Sequence, residues 1–336
     1  MDPVMASSAA GAAGMLLEAI LIPRYIVFAR ERGMTGGDVH KPGKPPVAEM
    51  GGVVLLLSAL LVESLLYIAG VYGLDYFKAA FLATLVAGMI GVVDDLVRLN
   101  GIAKTVAGLV IGAPLLLFNA YEPRLAIPFI GSARFTILYP LAVPLAMSVF
   151  ANAANMNDTH NGILHISAIH IYTVAGAAGA LLLYCSDATG LALYMSLAFA
   201  PLSLGFLVYN MFPARVFNGD TGSLTVGTLI GLVAIMGKVE VAVVLAMMPW
   251  VIKGFGTIAS VRGFKEKSEI AVKPVVIEGW EIRGSRDPRA PATLARLLTM
   301  DYSLTEPEVI LAVTLLSMIS SIVAVALSLV TYAGLG

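Results

Sequence analysis

Apolar residues run along this chain in long blocks broken by short polar loops, a spacing that suits membrane-crossing helices. Ten blocks predict helices, at 4–28, 51–72, 76–93, 105–118, 135–152, 163–184, 190–209, 223–237, 239–261 and 306–334. The fourth and eighth are short and contain glycine. Arg24 near the inner end of the first block, and Arg30 and Arg32 just after it, are the reverse of a cleaved signal peptide, so the N-terminus is expected outside and loop 29–50 inside. Ten spans then put 94–104, 153–162, 210–222 and 262–305 inside as well, and both termini outside. Of 21 Lys and Arg, Lys78, Arg124, Arg134 and Lys238 fall outside and Lys253 falls within a span; the other sixteen lie on the inner side. That bias supports the orientation.

The fold class expected is an all-α polytopic membrane protein of about ten transmembrane helices, one integral membrane domain over 1–336. Residues 262–305 form a cytoplasmic loop insertion. Within it, Val275–Ile282 reads as a small β-hairpin around a Glu-Gly turn. Leu294, Leu297, Leu298 and Met300 recur at helical spacing, as in an interfacial helix.

Composition narrows the classes. The chain has 336 residues, 58% hydrophobic and 13% charged, with a mean hydropathy of +0.88. This excludes a water-soluble enzyme, since a soluble domain carries about 25% charged residues. A net charge of -1 excludes a polybasic nucleic-acid binder, and the single Cys185 excludes a disulfide scaffold or cysteine-rich metal site.

Four polar clusters fall on the inner side. The first, Asp38 to Gly52, sets Lys41 and Lys44 among Gly and Pro, with Glu49 further on. It suits ammonium groups held against phosphates, or equally an inner-side anchor. Second, Asp94 and Asp95 end the third span beside Arg98, with Lys104 in the loop behind. Adjacent carboxylates at a membrane edge point to a bound cation more than to a solvated helix end. In the third, Asn152, Asn155, Asn157, Asp158, Thr159, His160 and Asn161 stand between two apolar helices, as a polar site or a self-satisfied knot of Asx turns. His165 and His170, five residues apart, read as packing or polar contacts. The fourth, Asn210 to Ser223, places Asp220 and two glycines at a helix start, suited to a phosphate or to an ordinary capped turn. Together these loops bring Asp94, Asp95, Asp158 and Asp220 as carboxylate oxygens, and Lys41, Lys44, Lys104, Arg283, Arg286 and Arg289 as phosphate partners. Mg2+ favours carboxylates combined with substrate phosphates. The set describes a cytosol-facing site for phosphate transfer onto or from a membrane-dissolved substrate.

The ordered motifs resemble the polytopic polyprenyl-phosphate N-acetylhexosamine-1-phosphate transferases, which include the bacterial MraY and WecA types and the dolichol-pathway enzyme, over nearly the whole chain. Asp38–Gly52 is similar to the family's first cytoplasmic loop and Gly91–Asp95 to its paired-Asp motif. Asn155–Gly162 is similar to its Asn-x-x-Asp-Gly-x-(Asn/Asp)-Gly pattern, and Pro213–Ser223 to its Gly-Asp-x-Gly-Ser loop. Two departures stand out. Thr159 occupies a position where the family often has Gly. The last inner loop has no His, unlike the muramoyl enzymes, and with Arg283, Arg286 and Arg289 looks more like archaeal and eukaryotic members.

The resemblance implies transfer of N-acetylhexosamine-1-phosphate, with GlcNAc-1-phosphate expected, from a UDP-sugar to a polyprenyl (dolichyl-type) phosphate, releasing UMP. It implies Asp94, Asp95 and Asp220 as catalytic residues, with Mg2+, or Mn2+ in its place, held by Asp220 and Asp95. Lys41, Lys44, Glu49, Lys104, Asn155, Asp158, Asn161, Asn210, Arg283, Arg286 and Arg289 are then substrate-binding. Partners expected are the UDP-N-acetylhexosamine, the lipid phosphate and, as often in the family, a second copy in a homodimer. The alternative is a membrane transporter of a phosphorylated or anionic solute. That class would carry its polar residues nearer mid-membrane and in repeated halves.

Overall fold

The computed structural model describes residues 1–186, 189–261, 263, 270 and 272–333. Arg262, Lys265 and Lys267, counted above as inner-side charges, lie outside the described residues. The chain opens with α1 (Pro3–Glu31), where the Asp2 carboxylate accepts the Val4 N–H at 2.7 Å. A hairpin of β1 (Thr35–Gly37) and β2 (Pro46–Ala48) follows, with Gly36 opposite Val47. Then come α2 (Gly52–Ile68), α3 (Leu74–Val97), α4 (Gly101–Ile111) and α5 (Ala113–Leu117). A second hairpin, β3 (Arg124–Ile127) and β4 (Gly131–Arg134), leads to α6 (Leu138–Asn157), α7 (Ile163–Cys185), α8 (Leu191–Asn210) and α9 (Gly219–Gly237). The chain continues through α10 (Glu240–Ala246), α11 (Met248–Val261), β5 (Val275–Glu278), β6 (Glu281–Gly284), α12 (Leu294–Leu298), β7 (Leu304–Thr305) and α13 (Glu306–Ala333).

Each of the ten apolar blocks has a helical counterpart. By length and apolarity, however, six helices suffice to cross a membrane: α1, α3, α7, α8, α9 and α13. The α10–α11 pair makes a seventh if its two arms are one span; it is bent by 66°. Pro249 sits in the first turn after that break, where its ring lacks an N–H and clashes with the preceding turn. The fourth block breaks likewise, at Gly112 ahead of Pro114. α2 is short at 17 residues, and α6 dilutes its apolar run with Asn152, Asn155 and Asn157 near its end.

The hairpin expected at 275–282 is present as β5–β6, with Ile277 opposite Ile282, and β7 adds a third antiparallel strand. The expected surface helix is the five-residue α12.

α9 is the buried centre, packed by α3, α6, α2 and α8. Every residue from Thr221 to Gly237 is buried. Small residues permit this approach. A Cβ on Gly52 of α2 would lie 2.1 Å from the Gly222 nitrogen, and one on Gly91 of α3 would lie 2.3 Å from the Thr221 Cα. The start of α9 is therefore in backbone contact with two other helices.

Candidate active site

The polar clusters gather where α3, α6 and α8 end and α4, α7, α9 and α13 begin. They bound a cleft of about 230 Å³ whose wall includes Asp38, His40, Asn155, Asp158, His160 and Asp220.

The start of α9 has no cap from its own loop, because the Asn218 side chain makes no capping bond. Asp95 supplies the cap from α3. Its carboxylate accepts the N–H groups of Asp220 at 2.7 Å and Thr221 at 3.1 Å, and the Thr221 hydroxyl at 2.7 Å. An anion at a helix N-terminus satisfies orphan donors and suits the helix dipole. Gly219 makes this seat available. Its φ is +67°, and a Cβ there would lie 2.7 Å from Asp95 Oδ2.

Asp94 points elsewhere and is 1% exposed. Its Oδ1 accepts the Leu99 N–H at 2.8 Å, and its Oδ2 lies 2.8 Å from Lys104 Nζ on α4. The same ammonium reaches Asp220 Oδ2 at 3.3 Å. Asn155 of α6 donates to Asp220 Oδ1 and, at 2.9 Å, to Ser223 Oγ. Two carboxylates thus flank one ammonium, an excess of negative charge among hard oxygen donors, which fits a divalent cation.

Most of the other expected residues brace loops. Asn218 donates to Asp158 at 3.0 Å, and its carbonyl oxygen is 2.7 Å from His165 Nε2, on a ring stacked against Phe206. Asn210 accepts the Gly162 N–H at 3.1 Å and donates to the Val216 carbonyl at 2.8 Å, tying two loops together. Asn161 donates its backbone N–H to Glu306 and its amide to Asp38, each at 3.1 Å. Lys41 is buried behind the wall between Asp38 and Glu306, the latter at 3.3 Å, and over the Phe212 ring. Lys44 and Glu49 are exposed, and Glu49 lies against Gly36.

The three expected arginines do not line the cleft. Arg283, Arg286 and Arg289 are exposed on the last loop. Arg289 forks onto Asp287 at 2.7 and 3.1 Å, which pulls that carboxyl down to about 2. Arg296, not singled out from sequence, holds the turn by donating to the carbonyls of Ser285 at 2.8 Å, Asp287 at 3.0 Å and Ala290.

Sequence reasoning also passed over Glu306 and Lys253. Glu306 stands at the first position of the last apolar block. Lys253 sits inside an apolar block, yet its Nζ reaches Thr159 Oγ1 at 2.8 Å and the Asn157 carbonyl at 3.5 Å. A lone buried ammonium in such a block is itself a signal. His160 is pressed against His40, with ring centroids 4.4 Å apart. Burial, and then the neighbours His40, Lys253 and Lys41, hold its imidazole well below the usual range.

Comparison with known proteins places this geometry. The profile of glycosyl transferase family 4 matches residues 77–238, a stretch holding Asp94, Asp95, Lys104, Asn155, Asp158 and Asp220. A Sulfolobus acidocaldarius protein named as a UDP-N-acetylglucosamine–dolichyl-phosphate N-acetylglucosaminephosphotransferase is 26% identical over 250 residues, covering 71% of this chain and 74% of its own. The phospho-N-acetylmuramoyl-pentapeptide-transferase of Nitratiruptor sp. is 30% identical over 282 residues, 73% of this chain and 77% of its own. That of Shouchella clausii is 31% identical over 272 residues, 76% and 81%. Identity at this level across most of both chains, with the matched segment enclosing Asp94, Asp95, Asp158 and Asp220, makes the chain a member of glycosyl transferase family 4.

Proposed function

We propose that this protein transfers N-acetylhexosamine-1-phosphate from a UDP-sugar to a polyprenyl phosphate within the bilayer. The observation that carries the reading is the Asp94–Lys104–Asp220–Asn155 constellation, which joins four helices beside the cleft. A phosphate oxygen of the lipid attacks the β-phosphorus of the donor. The bond from that phosphorus to the bridging oxygen breaks, and UMP leaves. Such transfers depend on positioning and charge neutralisation more than on covalent chemistry. Lys104 draws in phosphate oxygens, and Asp94 stands beside it to take a proton from the acceptor. Asn155 fixes the Asp220 carboxylate. Asp220, with Asp94 across Lys104, would hold Mg2+, which supplies charge neutralisation at the diphosphate. Asp95, expected from sequence to share the ion, has its carboxylate engaged at the α9 N-terminus, so we assign it to fixing the Asp220 backbone.

The donor is UDP-GlcNAc or a close N-acetylhexosamine relative. The His-free last loop supports it, as does the name of the Sulfolobus protein. The muramoyl relatives favour the other donor by name. The same reading treats all ten helical blocks as spans, sets the cleft on the cytosolic side and expects a homodimer. The test is UMP release by purified protein given Mg2+, polyprenyl phosphate and a panel of UDP-sugars. Release with the muramoyl-pentapeptide donor alone overturns the donor, and release with none overturns the function.

A further inference from the structure

Thr159, where the family pattern often has glycine, lies between a cation and an imidazole. Lys253 Nζ donates to its hydroxyl at 2.8 Å, and the hydroxyl is 3.0 Å from His160 Nδ1. A second acceptor, the Asn157 carbonyl, is further from the hydroxyl at 3.4 Å. An ammonium has only protons to give, so Thr159 Oγ1 is the acceptor in that contact. The hydroxyl's single proton is then left for the nearer acceptor, the unprotonated Nδ1 of a neutral ring. His160 is neutral because it is 6% exposed and faces His40, Lys41 and Lys253. In that arrangement Nε2 carries the proton, and this nitrogen is buried with no partner among the described residues. An unsatisfied buried donor is costly, and a ligand's acceptor would remove that cost.

We propose that Lys253 and Thr159 are positioning residues that lock His160 in its Nε2–H form, so that it donates to an uncharged carbonyl oxygen of the nucleotide-sugar. The carbonyl is assigned because the cleft wall carries amides and carboxylates, Asn155, Asn161, Asp158 and Asp38, while the nearby Lys41 and Lys253 are engaged with Asp38, Glu306 and Thr159, which disfavours a bare phosphate. Uracil and the acetamido group both offer such an oxygen. The inference rests on the donor class proposed above and goes beyond it by naming the residues that set a donor contact.

Two measurements test it. The first needs no ligand. In protein with 15N-labelled histidine rings, the His160 signals, assigned by their loss in His160→Gln, are expected to show a bare Nδ1 and a protonated Nε2. Thr159→Val should mix the tautomers, and Thr159→Ser should restore the single form. A mixed or Nδ1–H ring in the native protein overturns the proposal. The second is donor affinity. His160→Leu and Thr159→Val should weaken binding roughly tenfold, as loss of one buried hydrogen bond would, and raise KM with little change in kcat. His160→Gln and Thr159→Ser should recover most of it. UMP, UDP-glucose and UDP-GlcNAc are run in parallel. Weakening of all three assigns the contact to uracil, and weakening of UDP-GlcNAc alone assigns it to the acetamido group. Unchanged affinity for every ligand overturns the proposal. If the native protein binds none of them, the proposed function fails, and the tautomer measurement still decides whether the ring is locked.

Discussion

The Asp95 carboxylate accepts the backbone N–H of Asp220 at 2.7 Å, so two acids 125 positions apart are joined side chain to main chain. The bond separates the paired aspartates by task. Asp95 seats the helix that carries Asp220, while Asp94, one residue earlier, turns to Lys104.

Asp95→Ala should therefore lower both melting temperature and turnover. Loss of an N-cap costs about 0.5–2 kcal/mol. Asp94→Asn should lower turnover with a smaller melting shift, because an amide oxygen still accepts from Leu99. Thermal unfolding in detergent beside UMP release measures both, and equal melting losses in the two variants would refute the division.

Asp220→Asn should cut turnover by several orders of magnitude in a protein that still folds, since Asn155 and Ser223 keep their places around it. Activity should vanish in excess chelator and return with Mg2+ or Mn2+. Full turnover in chelator would remove the metal from the scheme.

Stability should fall as pH drops through the ordinary histidine range. His160 is held neutral in the fold, whereas in the unfolded chain it protonates near 6.5. Below that pH the unfolded state binds a proton that the native state refuses, at roughly 1.4 kcal/mol per pH unit. Above it the contribution is fully present. Melting curves between pH 5 and 8 should be flatter for His160→Gln than for the native protein.

Lys41→Met should destabilise by about 3–5 kcal/mol, because it leaves Asp38 and Glu306 buried without their shared ammonium. Adding Glu306→Gln should recover part of that. No recovery in the double variant, read by denaturant or thermal unfolding, would mean that the two groups are not coupled.

Cysteines at Lys44 and Ile130, both exposed, should label from opposite sides of the membrane, with Lys44→Cys reached from the cytosol. Labelling of both from one side would break the ten-span arrangement.

Much of the site was legible because a polar residue at a membrane edge is costly and conspicuous. Asp94, Asp95, Asn155, Asp158 and Asp220 announce themselves this way. What each acid does was not legible. Adjacent helical residues diverge by about 100°, and only the partner helices decide which way matters. Lys253 was visible as a charge within a span, but its partners Thr159 and Asn157 are far off in sequence and were not legible. The hairpins at 35–48 and 124–134 were hidden for another reason: strands of three or four residues are too short to carry an alternation that can be read. The arginine turn was visible as a cluster, but its pairing with Asp287 follows from a local bend that composition does not encode.

The glycine crossing of α2, α3 and α9 carries a consequence for how the protein can diversify. Where backbone meets backbone, even one added methyl has no room, because the atoms it would meet are main chain and not a side chain that could move aside. The geometry between Asp94 and Asp220 is thereby cast in main chain, insulated from the drift of sequence around it. The first hairpin is bonded to the segment before α9 through main chain, with the Phe217 N–H on the Ala48 carbonyl at 2.8 Å, but it reaches the cleft through the side chains of Asp38 and His40. A change of sugar can be tried there without disturbing the phosphate chemistry, which makes the enzyme an interchangeable mouth on a fixed anvil.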